Sequence, residues 1–210
     1  MMHLYDFARS SCCQRVRIAL ALKNVSVDKI GVNLLEGGGQ QNQPAYLSIN
    51  PQKLIPSLVT DAGSLTQSLA IIEYLEEKYP TPALLPTDPF LRAKIRGFAL
   101  NIACEMHPLL NLRVIQALTN EFQLNPGQKD AWVQKWLVQG LQALEAILAT
   151  QKTKTQFCFG DTPSLADVFL APQLQHAQKA RCDLTPYPKL MTVYAHCQKE
   201  AAFSTVLAEQ

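Results

Sequence analysis

Apolar positions along the first 80 residues keep switching between two periods. HLYDF (residues 3–7) and VDKIGVNLL (27–35) read as strands, while SCCQRVRIALALKN between them places Val16, Ala19, Leu20 and Lys23 at helical spacing. GGGQQ reads as a loop and PAYLSIN as a short irregular helix or turn. IPSLVTD and SLTQ form a pair of short strands joined around Ala62 and Gly63. SLAIIEYLEEKY is a helix with Leu69, Ile72, Leu75 and Tyr79 on one face and Glu73, Glu76 and Glu77 largely on the other. The order βαβ, turn, ββα predicts a small mixed sheet with helices packed on it.

The pattern then changes once. YPTPALLPTDP carries four prolines in eleven residues; proline removes backbone donors and discourages helix in the residue before it, so this is a linker. Beyond it only the helical period recurs, through Leu91, Ile95, Phe98, Ile102 and Leu109, and again through Val133, Leu137, Leu141, Leu144 and Leu148. SLADVFLAPQLQHAQK and PYPKLMTVYAHCQK are two further helices. The expected organisation is an α/β domain over residues 1–80, a proline-rich linker over 81–87 and an all-α domain over 88–210.

Composition narrows the class. Of 210 residues 48% are hydrophobic and 17% charged, with net charge +2 and no basic block, which excludes disorder and gives no footprint for nucleic acid or an anionic membrane. The first residues lack the apolar core of a signal peptide and no apolar run has spanning length, so a cytoplasmic protein is expected. Six cysteines without a CxxC or a zinc-like Cys/His spacing read as reduced thiols, with no metal site.

Three motifs carry mechanical content. In NPQKLIPSL the step from Ile55 to Pro56 stands at the mouth of a strand, either as an ordinary trans proline that starts the strand or as a cis peptide that would turn the chain and expose the Ile55 main chain. Its place in the βαβ, ββα order favours cis. Gln67 and Ser68 open a helix whose free N–H groups suit a carboxylate, or Ser68 caps it. Ser164 and Asp167 have capping-box spacing and read as folding determinants.

These motifs, in this order, resemble the cytosolic glutathione transferases, with a thioredoxin-like N-terminal domain and a helical C-terminal domain. RSSC-x-x-RVRIALALK, NL-x-x-GGGQQ, QSLAIIEYLEE-x-YPTPALLP and DLTPYP resemble the zeta class in particular, from about His3 to about Pro188. The resemblance implies a homodimer that binds glutathione through Ser10, Ser11, Cys12, Arg15, Gln41, the Ile55 backbone, Gln67 and Ser68. From the helical domain it adds His107, Asn111, Leu112 and Arg113, taken as lying near one side of a helix that Pro108 kinks. His107 stands where relatives carry glutamine. Ser10 and Ser11, with the helix N–H groups, would stabilise the glutathione thiolate, with Cys12 and Arg9 beside them in the catalytic set.

The same resemblance implies a diacid substrate, with Arg9, Arg113 and Lys179 as carboxylate anchors. Lys179 replaces a common arginine and has Arg181 nearby. Arginine offers a planar fork for carboxylates. The activity implied is glutathione-dependent cis–trans isomerisation of a maleyl-type diketo diacid such as maleylacetoacetate. A general transferase acting on small electrophiles such as α-halo acids would not need the arginine pair, and a non-catalytic module would not need Ser10, Ser11, Gln67 and Ser68.

Overall fold

The computed structural model describes residues 2–151 and 153–209. The chain divides into two compact units, Met1–Ala83 with Glu200–Gln210, and Leu84–Lys199.

In the first unit, β1 (His3–Asp6), β2 (Asp28–Gly31), β3 (Ser57–Thr60) and β4 (Gly63–Thr66) form one sheet in the order β2-β1-β3-β4. β1 runs parallel to β2 and antiparallel to β3, and β3 pairs antiparallel with β4. Helices α1 (Ser11–Leu22), α2 (Pro44–Leu47) and α3 (Ser68–Lys78) connect the strands, giving the thioredoxin-like arrangement. β2 is shorter than the apolar run 27–35 suggests. After Val32 donates to the Asp6 carbonyl, the Asn33 side chain accepts from the backbone of Leu35 and Glu36 and turns the chain out of the sheet.

Two helices depart from their expected faces. α1 is buried all round from Cys13 to Leu20, because α3 packs on one side of it and α10 (Ala201–Ala208) on another. The C-terminal helix therefore belongs to the first unit, not to the helical region of 88–210 in which the sequence placed it. Phe203, Val206 and Leu207 are its buried side chains. In α3 the buried stripe is Ser68, Ile71, Ile72, Leu75 and Glu76, displaced from the expected one. Glu76 is tolerated there because the buried Lys23 ammonium lies 2.6 Å from its carboxylate and also donates to the carbonyls of Tyr79 and Pro82.

The second unit is helical: α4 (Pro89–Leu100), a π-helical stretch (Asn101–Met106), α5 (His107–Leu110), α6 (Leu112–Asn120), α7 (Pro126–Ala149), α8 (Leu165–Lys179) and α9 (Pro188–Cys197). Asp88 caps α4 and Asn125 with Gln128 forms a capping box on α7. Ile95, Phe98, Ile102, Leu137, Leu141, Leu144 and Leu148 are buried. Met106 seats against Gly140, where any Cβ would collide with it. At the end of the proline-rich segment Leu84 and Leu85 are buried, and Leu165 donates to the Leu84 carbonyl within the second unit. The peptide between Thr81 and Pro82 is cis, which the sequence reading did not anticipate.

Candidate active site

Strand register brings three separate segments of the first unit to one end of the sheet. Tyr5 faces Ser57, and Ser57 faces Thr66. The turn after β1, the peptide between Ile55 and Pro56, and the joint of Gln67 and Ser68 therefore lie side by side. β2, parallel to β1, delivers the 33–43 loop with Gln41 to the same end. The Ile55 to Pro56 peptide is cis. The segment before it is pinned: Tyr46 Oη (2.6 Å) and Asn50 Nδ2 (2.6 Å) both donate to the Leu54 carbonyl, and Ser57 Oγ completes the network 2.9 Å from Tyr46 Oη. Tyr46 and Asn50 were missed from sequence. Their apolar and turn-like settings disguise a pair that converges only in the fold.

Several groups at this end are open to a peptide ligand. Among the described residues nothing hydrogen-bonds to the Ile55 main chain. The Gln41 Oε1 atom is buried without a hydrogen-bond partner. Gln67 has φ 68°, its amide donates to Gln52 Oε1 at 3.0 Å, and it makes no side-chain cap to α3. Ser68 is the first residue of α3 and not its cap, which corrects the capping alternative. The first N–H groups of α3 thus remain available to a carboxylate.

At the start of α1, residues 7–10 form a turn closed by Ser10 N donating to the Phe7 carbonyl at 2.9 Å. Ser10 is the N-cap, accepting from Cys13 N at 3.4 Å, and Ser11 opens the helix. Both serines and Cys12 are half-buried, and Arg9 is exposed at the turn. The adjacent cysteines differ. Cys13 is fully buried, and burial pushes its thiol well up. Cys12 lies 3.6 Å from Arg15 Nη1. Arg15 is 1% exposed, and burial pulls its guanidinium below the ordinary value. It faces the cysteine sulfur at this helix end instead of standing open at the surface.

In the second unit, His107, Asn111, Leu112 and Arg113 do not share one helical face. Asn111 is extended (φ −65°, ψ 144°) and its Oδ1 accepts from Arg113 N at 3.1 Å, so α5 ends and α6 begins at this residue. The asparagine prefers capping to continuing the helix, and Pro108 sits in the first turn of α5 just after the π-helical stretch. His107 and Leu112 are half-buried and Arg113 is exposed. Lys179 is exposed in the last turn of α8, where a cation complements the helix dipole. The same turn of α7 holds both ends of this set. Trp132 Nε1 donates to the Leu109 carbonyl (2.8 Å) and Gln134 Nε2 to the Ala180 carbonyl (2.7 Å). Neither residue stands out in the sequence, because each acts on a partner far along the chain.

The Ser164 and Asp167 box forms. Asp167 is fully buried and accepts from Cys158 N (2.8 Å), Ser164 N (2.8 Å) and Ser164 Oγ (2.7 Å). All six cysteines are free thiols. Among the described residues no helix is long and apolar enough to cross a membrane, and no cluster of metal-ligating side chains occurs.

Comparison with known proteins agrees with this geometry. The glutathione S-transferase N-terminal domain profile matches residues 4–83, and the C-terminal domain profile matches residues 128–196. A maleylacetoacetate isomerase of Pseudomonas aeruginosa is 46% identical over 193 residues, which is 91% of this chain and 89% of that protein. The holo structure of a bacterial zeta-class maleylpyruvate isomerase superposes with TM-score 0.95 at 42% identity, covering 99% of this chain and 98% of that one. A maleylacetoacetate isomerase from Methylobacterium extorquens, solved with malonate and glutathione bound, has TM-score 0.94 at 33% identity, covering 99% and 97%. The chain belongs to the glutathione transferase family. Within that family it falls in the zeta class, with the maleylacetoacetate and maleylpyruvate isomerases.

Proposed function

We propose that this protein is a glutathione-dependent cis–trans isomerase of a maleyl-type diketo diacid, maleylacetoacetate or a close analogue. The observation that carries the reading is the meeting, at one end of the sheet, of Ser10, Ser11 and Cys12 at the start of α1 with the cis peptide at Ile55 and the uncapped start of α3. When bound, glutathione supplies a thiol that adds reversibly to the cis double bond, so that rotation and elimination return the trans diacid.

The chain's own groups then have separate tasks. The Ile55 main chain and the Gln41 amide hold the peptide backbone of the ligand, and Gln67, Ser68 and the first N–H groups of α3 take its γ-glutamyl carboxylate. The Ser10 and Ser11 hydroxyls, with the N-terminal dipole of α1, stabilise the sulfur as thiolate. Ser10, although it accepts from Cys13 N, keeps its own O–H to donate. Arg9, Arg113 and Lys179 are the proposed anchors for the substrate carboxylates, and His107 a hydrogen-bond donor in the second unit. Preorganised cations at a developing negative charge lower the barrier without reorganising. Homodimerisation and a cytoplasmic site of action belong to the same reading, supported by the family likeness and the sequence.

The test is an isomerase assay on maleylacetoacetate and maleylpyruvate with and without glutathione, alongside conjugation of a neutral electrophile. Turnover of a maleyl diacid only with glutathione is expected. Removing a charged hydrogen bond costs about 1.5–3 kcal/mol, so Arg9→Ala and Arg113→Ala should each lose roughly ten- to a hundredfold in kcat/KM for the diacid. Conjugation of the neutral electrophile should be spared. Equal losses on both substrates would sink the anchoring roles, and conjugation without any isomerase turnover would sink the isomerase reading.

A further inference from the structure

Arg17 lies in the second turn of α1 and is 4% exposed, yet the site described above does not use it. Side chains on a helix tilt toward its N-terminus, and this one reaches back past the start of α1. Its Nη2 donates to the Ala8 carbonyl at 2.7 Å, inside the turn that presents Arg9, Ser10 and Ser11. Its Nε lies 3.6 Å from Oδ1 of Asp6, the last residue of β1. Its Nη1 pairs with Glu209 Oε2, just beyond α10. Lys29, on edge strand β2, holds the same carboxylate at 3.4 Å. One guanidinium thus joins the end of β1, the middle of the turn and the C-terminal segment.

We propose that Arg17, clamped by Asp6 and Glu209, is a positioning residue that fixes the turn carrying Arg9, Ser10 and Ser11 through the Ala8 carbonyl, so that the C-terminal segment governs how well this turn stabilises a bound thiolate. The inference rests on the glutathione reading above. Its physical basis is geometric. The turn is fixed at Asp6 and Ala8 by Arg17, and at Ser10 by the Phe7 carbonyl and the start of α1. Releasing the two Arg17 points leaves Ala8, between the end of β1 and the start of α1, without its side-chain hold. Lysine could keep the charge at this position, but it lacks the fork that donates to the Ala8 carbonyl and the Glu209 carboxylate while its Nε stays beside Asp6.

The experiment compares Glu209→Gln, Arg17→Lys and Arg17→Met with the wild-type chain. It reads the pKa of enzyme-bound glutathione from thiolate absorbance, together with KM for glutathione, kcat and Tm. Glu209→Gln should raise the bound-thiol pKa and the KM for glutathione. Arg17→Met should do more, lowering kcat/KM for glutathione roughly tenfold, short of the hundredfold that a misplaced reacting group can cost. Arg17→Lys should recover part of the loss. A lower Tm with unchanged thiol pKa and KM would make Arg17 a scaffold residue and overturn the proposal. Full recovery by Arg17→Lys would overturn it in favour of a charge effect. Should Arg17→Met not fold, Glu209→Gln decides alone, an unchanged thiol pKa and KM again overturning the proposal. Failure of the wild-type chain to bind glutathione in calorimetry would remove the functional reading itself, an outcome told apart by needing no variant.

Discussion

At the scale of single residues, burial separates groups that the sequence sets side by side. Cys12 and Cys13 are neighbours, but one helical step turns Cys13 into the core, where burial pushes its thiol well up, and leaves Cys12 half-exposed. Burial, reinforced by the Asp167 carboxylate, does the same to Cys158. A neutral alkylating reagent followed by mass spectrometry should therefore label Cys12 and the exposed Cys104 in folded protein, and reach Cys13, Cys158 and Cys197 only after denaturation. Prompt labelling of Cys13 would contradict the packing of α1. Asp167 gives a second measurement. Its removal orphans the buried N–H groups of Cys158 and Ser164 at about 1–3 kcal/mol each, so Asp167→Ala should cost more than the roughly 0.5–2 kcal/mol of an ordinary cap. Burial raises the Asp167 carboxyl above its ordinary value, against the pull of those donors. Its contribution to stability is therefore full below about pH 4 and declines as pH rises through the raised folded value. The Tm gap between wild type and Asp167→Asn should narrow over that interval; a widening gap would reverse the assigned direction.

At the scale of elements, the sequence was most readable where periodicity and caps agree. The four strands, α1, α3, α7, α8 and the Ser164 and Asp167 box stand close to where their patterns put them, and the peptide before Pro56 is cis. Faces and breaks were less readable. The buried stripe of α3 includes Glu76, which a polarity pattern assigns to solvent, because its partner Lys23 lies 53 positions earlier in the chain. The join of α5 and α6 turns on Asn111 choosing a cap over a helical conformation, a choice that the i, i+4 spacing of His107 and Asn111 does not reveal. The Lys23 and Glu76 pair makes this testable. Lys23→Met leaves a buried carboxylate without its ammonium and should cost about 3–5 kcal/mol in urea unfolding. Adding Glu76→Leu should recover most of that, since a buried pair replaced by apolar groups is often neutral. A double variant no more stable than Lys23→Met would show that the bonds from Lys23 to the Tyr79 and Pro82 carbonyls carry the effect instead.

At the scale of the whole chain, the first unit is closed by residues from the other end of the sequence. α10 carries weak local signals: Glu200 makes no side-chain cap, and no charged stripe borders Phe203, Val206 and Leu207. Its place beside α1 is a contact between residues nearly two hundred positions apart, which no local pattern can encode. The energetic consequence is large. Phe203, Val206 and Leu207 are at most 6% exposed, and burying such side chains stabilises by about 1.5–3 kcal/mol each. Together they amount to a sizeable part of the roughly 5–15 kcal/mol that holds a typical protein folded. A chain ending at residue 199 would also leave Arg17 buried without the Glu209 carboxylate. Such a chain should lose cooperative unfolding of the first unit, and Phe203→Ala alone should cost about 3–5 kcal/mol. Thermal melts and hydrogen exchange of α1 amides provide the readout, since at this chain length 1 kcal/mol moves Tm by about 2–4 °C. A shortened chain melting within a few degrees of the full one, with α1 still protected, would show that α1 needs no cover from α10.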